Sequence, residues 1–492
     1  VRRSALAASS RCTDLHLTVP RLLVAGLRGG SGKTLLSLGL AASFRSGGRI
    51  VAPFKKGPDY IDASWLARAA GRPCRNLDLF LFSPPVALRS FAGGAAGADV
   101  AIIEGNRGLF DGMDAEGTFS SGELAKLLKA PVLISLDVTK VTRTAAAMIL
   151  GCQTMDPTVP LAGVVLNRVA GSRHESVLRQ AIEGVCGLPV LGAIPKLQEE
   201  IFPERHLGLV PPQESAKEED FLARASEIAE KYLDLEGILQ IAKGAPSLEA
   251  SRDPGPAAPQ GGTTPGPPDP AQAPRPRIGV FVDAAFQFYY PENLEALEKA
   301  GGEIVEVSPI SDSVLPPVDA LYLGGGFPET MAVALSGNTS FLTSLREAAQ
   351  GGLPIYAECG GAVYLGRRLH YDGGSYDLAG VLPVEYGFQA RPRGHGYTVL
   401  ETIRENPFYT VGETLRGHEF HYTFMLSSEG GRAGAEAFAF RLHRGYGFDG
   451  RHDGLISGNV MACYTHIHAL GSPGWAPSLV RAAEGYRSGL RE

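Results

Sequence analysis

Apolar positions in the first half of the chain come in short unbroken runs. "RLLVAG", "RIVAPF", "DVAIIEG", "APVLISLD", "LAGVVLN" and "LPVLGAIP" follow one another with helical patterns between them. A strand covered on both faces has no polar side, so it reads as a continuous apolar run. Runs of this kind alternating with helices predict a doubly wound parallel sheet with helices on both faces. The second half repeats the style in "RIGVFVD", "GEIVEVS", "ALYLGGG" and "LPIYAEC". Residues 253–276, "DPGPAAPQGGTTPGPPDPAQAPRP", interrupt the pattern with Pro, Gly and Ala. They offer too little apolar surface to offset the entropy of ordering, and read as a tether. The expected organisation is therefore α/β with two domains. Residues 1–19 are a loose tail, 20–245 a first domain, 246–276 a linker and 277–490 a second domain.

Bulk properties narrow the classes. A chain of 492 residues is too long for one core, and its 44% apolar and 20% charged content is that of a globular protein. A formal net charge of −6 disfavours a nucleic-acid partner held by backbone electrostatics. No apolar run is long enough to span a bilayer, which argues against a membrane partner. The start, "VRRSALAASSRCTD", is basic but has no apolar core and does not read as a signal peptide. Six scattered cysteines without a CxxC pair speak against zinc and disulfide frameworks, and for a reducing cytoplasm.

Two stretches carry chemistry. The first is "GLRGGSGKT", which follows a strand and opens an amphipathic helix. Backbone N–H groups of Gly29, Gly30, Ser31 and Gly32 can curl around phosphate oxygens at a helix N-terminus. Lys33 can reach terminal phosphates, and the Thr34 hydroxyl can bind Mg²⁺. The usual spacing wants Gly at 27, whereas the chain has Leu27 and places the glycine at Gly26, a variant resembling that of dethiobiotin synthetases. "PFKKGPDYIDASW" adds Lys55, Asp59, Tyr60 and Asp62, and "AIIEGNRGLFDG" adds Glu104 and Asp111. Carboxylates after strands of an open α/β sheet face the ligand crevice, so Thr34, Asp59 and Glu104 are candidate Mg²⁺ ligands.

The second is "LPIYAECGGAVYLG", where a strand-like run ends in Cys359 and two glycines. A tight strand-to-helix turn there would expose the sulfur near a helix N-terminus, predicting a lowered thiol pKa and a nucleophile. "MACYTHIHAL" offers His466 and His468 as bases. Amides of Gly324 to Gly326 in "ALYLGGGFPET", with that of Gly360 after the cysteine, are candidates for an oxyanion hole, Gly325 and Gly326 foremost.

With these residues in place, the chain resembles the cobyrinic acid a,c-diamide synthases, glutamine-dependent, ATP-driven amidases of tetrapyrrole biosynthesis. The likeness covers about residues 20–475. Its motifs stand in family order: "GSGKT", "FKKGPDYID", "GRPCRNLDLF", "EGNRGLFDG", "ELAKLLKAPVLISLD", "GVVLNRV", "PERHLGL", "YLGGGFPE", "AECGGAVYLG", "GHEFHYT" and "CYTHIHAL". The resemblance implies a synthetase domain akin to dethiobiotin synthetase, followed by a class I glutamine amidotransferase domain. It implies ATP and glutamine as co-substrates, Mg²⁺ as cofactor and a tetrapyrrole acid as substrate, with a homodimer left open. It makes Cys359 the glutaminase nucleophile and His466 its base. It puts Asp59, Tyr60, Ile61 and Asp62 at substrate carboxylates, Glu104 and Asp111 in a catalytic acidic pair, and Asn167 at adenine. The chemistry implied is an acyl phosphate on the a and c carboxylates, trapped by ammonia released from glutamine.

Two departures stand out. A class I triad has Glu two residues after the His, where this chain has His468, so a Cys–His pair is expected. Asn106 and Arg107 replace apolar residues in "EGNRGLFDG", and Lys56 adds charge. Lys55, Lys56 and Arg107 are therefore candidate partners for unreacted substrate carboxylates. Sirohydrochlorin-type or nickel-sirohydrochlorin acids stay open as alternative substrates, and cobyric acid synthase is a neighbouring reading. A rival from another class is a partitioning-type phosphate-loop switch ATPase with an inert second domain.

Overall fold

The computed structural model describes residues 15–197, 204–205, 208–209, 218–250, 274–428 and 437–489. The chain divides into two compact units, Val1–Ala257 and Ala258–Glu492.

The first unit is built on seven strands that pair parallel throughout. Their spatial order is Arg75–Leu77, Val51–Lys56, Val100–Glu104, Arg21–Gly26, Val132–Asp137, Leu161–Val169 and Val190–Pro195. All six apolar runs singled out above are strands of this sheet. Successive side chains leave opposite faces, so Leu23 and Ala25 join one core and Leu22 and Val24 the other. Both faces are buried, which is why the runs show no alternation. Arg21–Gly26 is the first strand in sequence yet the fourth in space. The chain leaves it to one side and returns to the other, opening a crevice at its C-terminal end.

The expected limits of tail and linker shift here. Leu15–Leu17 pairs antiparallel with Leu248–Ala250, so residues placed in the tail and the linker form a two-stranded sheet. Buried Leu248 and the bond from Arg21 to the carbonyl of Pro246 fasten that segment to the unit. The rest of the tail, residues 1–14, and residues 251–273 of the linker lie outside the described residues. So does part of "PERHLGL", whose residues 204–205 and 208–209 form a small hairpin pair.

In the second unit the four foreseen strands, joined by Val460–Cys463, make the parallel part of a ten-stranded sheet, ordered Glu303–Val307, Arg277–Phe281, Ala320–Leu323, Ile355–Glu358 and Val460–Cys463. The sheet continues antiparallel through His452–Ser457, Phe438–Arg444, Gly394–Thr402 and Thr414–His421 to the short strand His466–Ile467. A separate four-stranded sheet holds Arg368–Tyr371, Gly374–Asp377, Val384–Phe388 and Thr423–Ser428. Among the described residues, no helix is long and apolar enough to cross a membrane.

Candidate functional site

The phosphate loop sits at the end of central strand Arg21–Gly26, ahead of helix Lys33–Ser46. The shifted first glycine has a local cause. A Cβ on Gly26 would lie 2.1 Å from Ser31 Oγ, so any side chain there would displace Ser31 where the loop folds back on itself. Gly30 and Gly32 take φ of 70° and 93°, open to glycine at little cost. The Ser31 carbonyl is tied down by Ser135 Oγ at 2.9 Å and Asn167 Nδ2 at 3.0 Å. The contact Asn167 makes here is thus to the loop. Lys33 Nζ donates to the Arg28 carbonyl at 3.1 Å. Burial holds its pKa below the usual lysine value, helped by the charge of Lys55.

Beside the loop lies a charge cluster. Lys55 and Glu104 are opposite one another on adjacent parallel strands. Lys55 Nζ meets Glu104 Oε1 at 2.8 Å, Asp62 Oδ2 at 2.5 Å and Asp59 Oδ2 at 3.8 Å. Glu104 Oε1 also accepts from Thr34 Oγ1 at 2.9 Å, whereas no donor among the described residues reaches its buried Oε2. Burial pushes Glu104 up to about 7 and Asp59 up to about 6. Asp62 is half-buried, and Lys55 outweighs the loss of hydration and holds it below the usual carboxylate range. Asp59 caps helix Tyr60–Ala70 by accepting from Asp62 N at 2.9 Å. Ile61, one of the expected substrate residues, packs on the core, and Tyr60 is half-buried in the same helical turn.

Asp111 and Arg107 lie on the loop after Glu104 and are exposed. Asp111 Oδ2 accepts from Gly108 N at 2.8 Å, and its charge is felt at Lys33. Arg107 has a φ of 52°. Its charge acts on Lys56, whose pKa is lowered first by burial while Asp78 works against that. The two cations therefore do share one sheet edge.

In the second unit Cys359 ends strand Ile355–Glu358 and stands before the short helix Gly360–Leu365 with φ 46°, a strained elbow for a residue with a side chain. The expectation of a lowered thiol pKa is corrected. Burial pushes the Cys359 thiol well above its usual value, aided by the charges of Glu329, Glu358 and Glu419, and the Gly360 amide offsets only part. The sulfur is thus a protonated thiol that needs a base. The oxyanion group also changes in one member. Gly324 N donates nothing inward, because it bonds Tyr289 Oη at 2.8 Å. Gly325 and Gly326 remain beside the elbow: a Cβ on Gly360 would lie 3.0 Å from Gly326 N. The imidazole edge of His466 abuts the same glycines, its Cε1 2.4 Å and Nε2 3.3 Å from where a Gly325 Cβ would stand.

A carboxylate stands beside the expected base His466. Glu358 Oε2, fully buried, lies 3.4 Å from His466 Nδ1. His468, in the position where class I triads carry Glu, is turned elsewhere: its ring is 4.4 Å from that of Tyr290, and its Nε2 is 3.7 Å from Glu292.

Similarity to known proteins covers both units. Residues 22–209 match the CobQ/CobB/MinD/ParA nucleotide binding domain, and residues 277–474 match the CobB/CobQ-like glutamine amidotransferase domain. A cobyrinate a,c-diamide synthase of Magnetococcus marinus is 43% identical, over 94% of this chain and 97% of the relative. The chain belongs to the cobyrinate a,c-diamide synthase family. Enzymes of the same name from Archaeoglobus fulgidus and Methanosarcina acetivorans are 40% and 39% identical, over 95% and 96% of this chain. As a family member it is an α/β protein with a phosphate-loop sheet unit and a glutamine amidotransferase unit.

Sequence reasoning missed Glu358, Ser135 and Asp78. Glu358 had a signal: an acid inside the apolar run "LPIYAEC" must be buried, and a buried carboxylate needs partners.

Proposed function

We propose that this protein is a glutamine-dependent, ATP-using amide synthase acting on the a and c carboxylates of cobyrinic acid. The observation that carries the reading is that similarity to cobyrinate a,c-diamide synthases runs through both units, with 94% of this chain aligned to the Magnetococcus marinus enzyme. A switch ATPase with an inert second domain leaves the second unit's match and the Cys359 elbow unexplained.

Amidation of a carboxylate at neutral pH needs its oxygen turned into a leaving group. In the first unit a substrate carboxylate oxygen attacks the terminal phosphorus of ATP, giving an acyl phosphate and ADP. Lys33 moves from the Arg28 carbonyl to the phosphates, and the loop amides take the oxygens. Asn167 serves nucleotide binding through the loop it braces. Thr34, Asp59 and Glu104 would hold Mg²⁺, and the undonated Glu104 Oε2 fits that role. A bound Mg²⁺ would neutralise phosphate charge. Lys55 keeps Glu104 and Asp62 tolerable in a buried position, while Asp59, Tyr60 and Asp62 face substrate. Lys56 and Arg107 pair carboxylates that do not react.

In the second unit His466 takes the Cys359 proton as sulfur attacks the glutamine amide carbon. The oxyanion is received by amides of Gly325, Gly326 and Gly360. Collapse breaks the C–N bond, the proton returns to nitrogen, and NH₃ leaves a glutamyl thioester that water hydrolyses. Ammonia then attacks the acyl phosphate and expels phosphate. A cytoplasmic location and a homodimer complete the proposal. The free thiols Cys74, Cys152, Cys186, Cys359 and Cys463 suit a reducing compartment.

The test is product mass spectrometry with cobyrinic acid. Cys359→Ala is expected to lose amidation with glutamine and keep it with ammonium, while Lys33→Ala loses both. No amidation of cobyrinic acid by the unaltered protein with either donor refutes the reading.

A further inference from the structure

We infer that Glu358 is a positioning residue of the glutaminase centre, standing in for the carboxylate that class I sequences carry two residues after the histidine. The inference rests on the reading of Cys359 and His466 given above and extends it to the group that orients the base. Glu358 immediately precedes Cys359, opposite Cys463 in the parallel register. Its Oε2 lies 3.4 Å from His466 Nδ1, and the two side chains are 0% and 3% exposed. Tyr322 Oη donates to Oε2 at 3.1 Å and Ile467 N to Oε1 at 3.2 Å, so the carboxylate is fixed from two sides.

The consequence is a tautomer. Glu358 Oε2 faces Nδ1 at 3.4 Å, an ion-pair separation, and so favours the tautomer with the hydrogen on Nδ1 and the lone pair on Nε2. Nε2 lies on the side of Gly325, in the glycine run packed against Gly360 beside the thiol. As Nε2 takes the thiol proton, the imidazolium gains a buried counter-charge, which is the service an orienting carboxylate gives a base. Other titratable groups around the ring do not replace it. His418 stacks on His466 at 4.9 Å, and burial holds its pKa well below the usual histidine value, so it is neutral. His468 and Glu292 form a separate contact at 3.7 Å. The buried Tyr322 hydroxyl stays protonated, its pKa raised by burial and by Glu358.

Glu358→Gln tests this in the full chain, with glutamine hydrolysis and ammonia-dependent amidation measured side by side. The expected result is a fall in kcat on glutamine of about 10²- to 10⁴-fold at nearly constant KM. Glu358→Asp recovers part of the rate, and ammonia-dependent amidation is unchanged. Glutamine hydrolysis within threefold of wild type, a loss that falls on KM rather than kcat, or a rate that Glu358→Asp does not recover in part, overturns the assignment. If Glu358→Gln does not fold, Tyr322→Phe carries the test through the lost hydrogen bond to Oε2. A three- to tenfold drop in kcat on glutamine is then expected, and no drop overturns it. A wild-type protein that hydrolyses no glutamine would instead sink the underlying glutaminase reading.

Discussion

Lys55 Nζ and Glu104 Oε1 stand 2.8 Å apart at the ends of adjacent parallel strands, with side chains 2% and 0% exposed. An ammonium at that depth is tolerable only because Asp62 and Asp59 join Glu104 around it. Burial alone would lower its pKa, yet the carboxylates raise it well above the usual lysine value. The cluster is therefore one unit, and removing its cation leaves buried negative charge uncompensated.

Lys55→Met is expected to destabilise the first unit by about 3–5 kcal/mol, the range for breaking a buried pair by removing one partner. The chain has two tryptophans, Trp65 and Trp475, so a Trp475→Phe background leaves Trp65 to report on the first unit. Urea unfolding followed by Trp65 fluorescence checks the shift. Amidation should be lost with either nitrogen donor while glutamine hydrolysis persists. An unchanged midpoint would show that the cluster does not act as a unit.

Glu104 makes a pH prediction. Burial pushes its carboxyl up to about 7 from a usual value of 4.5, with Lys55 pulling the other way. The folded state thus holds a proton that the unfolded chain has released. Stability from this group is full below pH 4.5 and is lost as pH rises through 7. Relative to Glu104→Gln, the wild type should lose about 2.5 kcal/mol between pH 5 and pH 8. Trp65-monitored unfolding at the two pH values decides it, and a wild type that gains stability over the variant on raising pH contradicts the argument.

Gly325 carries the third. A Cβ there would stand 2.4 Å from His466 Cε1, closer than carbon atoms approach, so Gly325→Ala must displace the imidazole or the glycine run. Glutamine hydrolysis should fall by about 10²-fold or more, as for loss of a positioned base. Ammonia-dependent amidation should stay near wild type, since the synthetase chemistry sits in the other unit. Equal loss with both donors would mean that Gly325 supports something other than the base.

Much of this was legible in the sequence where burial leaves a one-sided signature. Six of the seven parallel strands show as unbroken apolar runs because both faces are covered, whereas the edge strand Arg75–Leu77 is too short and polar to stand out, and "GSGKT" names its own chemistry. The antiparallel strands Gly394–Thr402 and Thr414–His421 were not foreseen, because one face is partly solvated and the alternation dilutes the apolar signal. The thiol pKa was misjudged because proximity to a helix end is visible in sequence while depth of burial is not. Glu358 was missed because its partner, His466, lies over a hundred residues away and only the register of Ile355–Glu358 against Val460–Cys463 brings them together.

The last prediction concerns substrate recognition. Arg107 stands exposed on the loop after Glu104, and its charge is felt at buried Lys56. A backbone φ of 52° holds it there, an unusual conformation for an arginine. Lys56 is near Asp78, which offsets part of its charge, whereas Arg107 presents a planar fork suited to a two-point contact with a carboxylate. A tetrapyrrole acid brings several carboxylates that do not react, and each needs a partner as water leaves. Arg107→Met should therefore weaken tetrapyrrole binding by about 1.5–3 kcal/mol, the range for hydrogen bonds to charged groups. KM for ATP and the rate of glutamine hydrolysis should change little. Steady-state KM values for cobyrinic acid and ATP in the same variant make the check. A selective rise for ATP would make Arg107 a nucleotide contact, and no change for either would remove it from the substrate pocket.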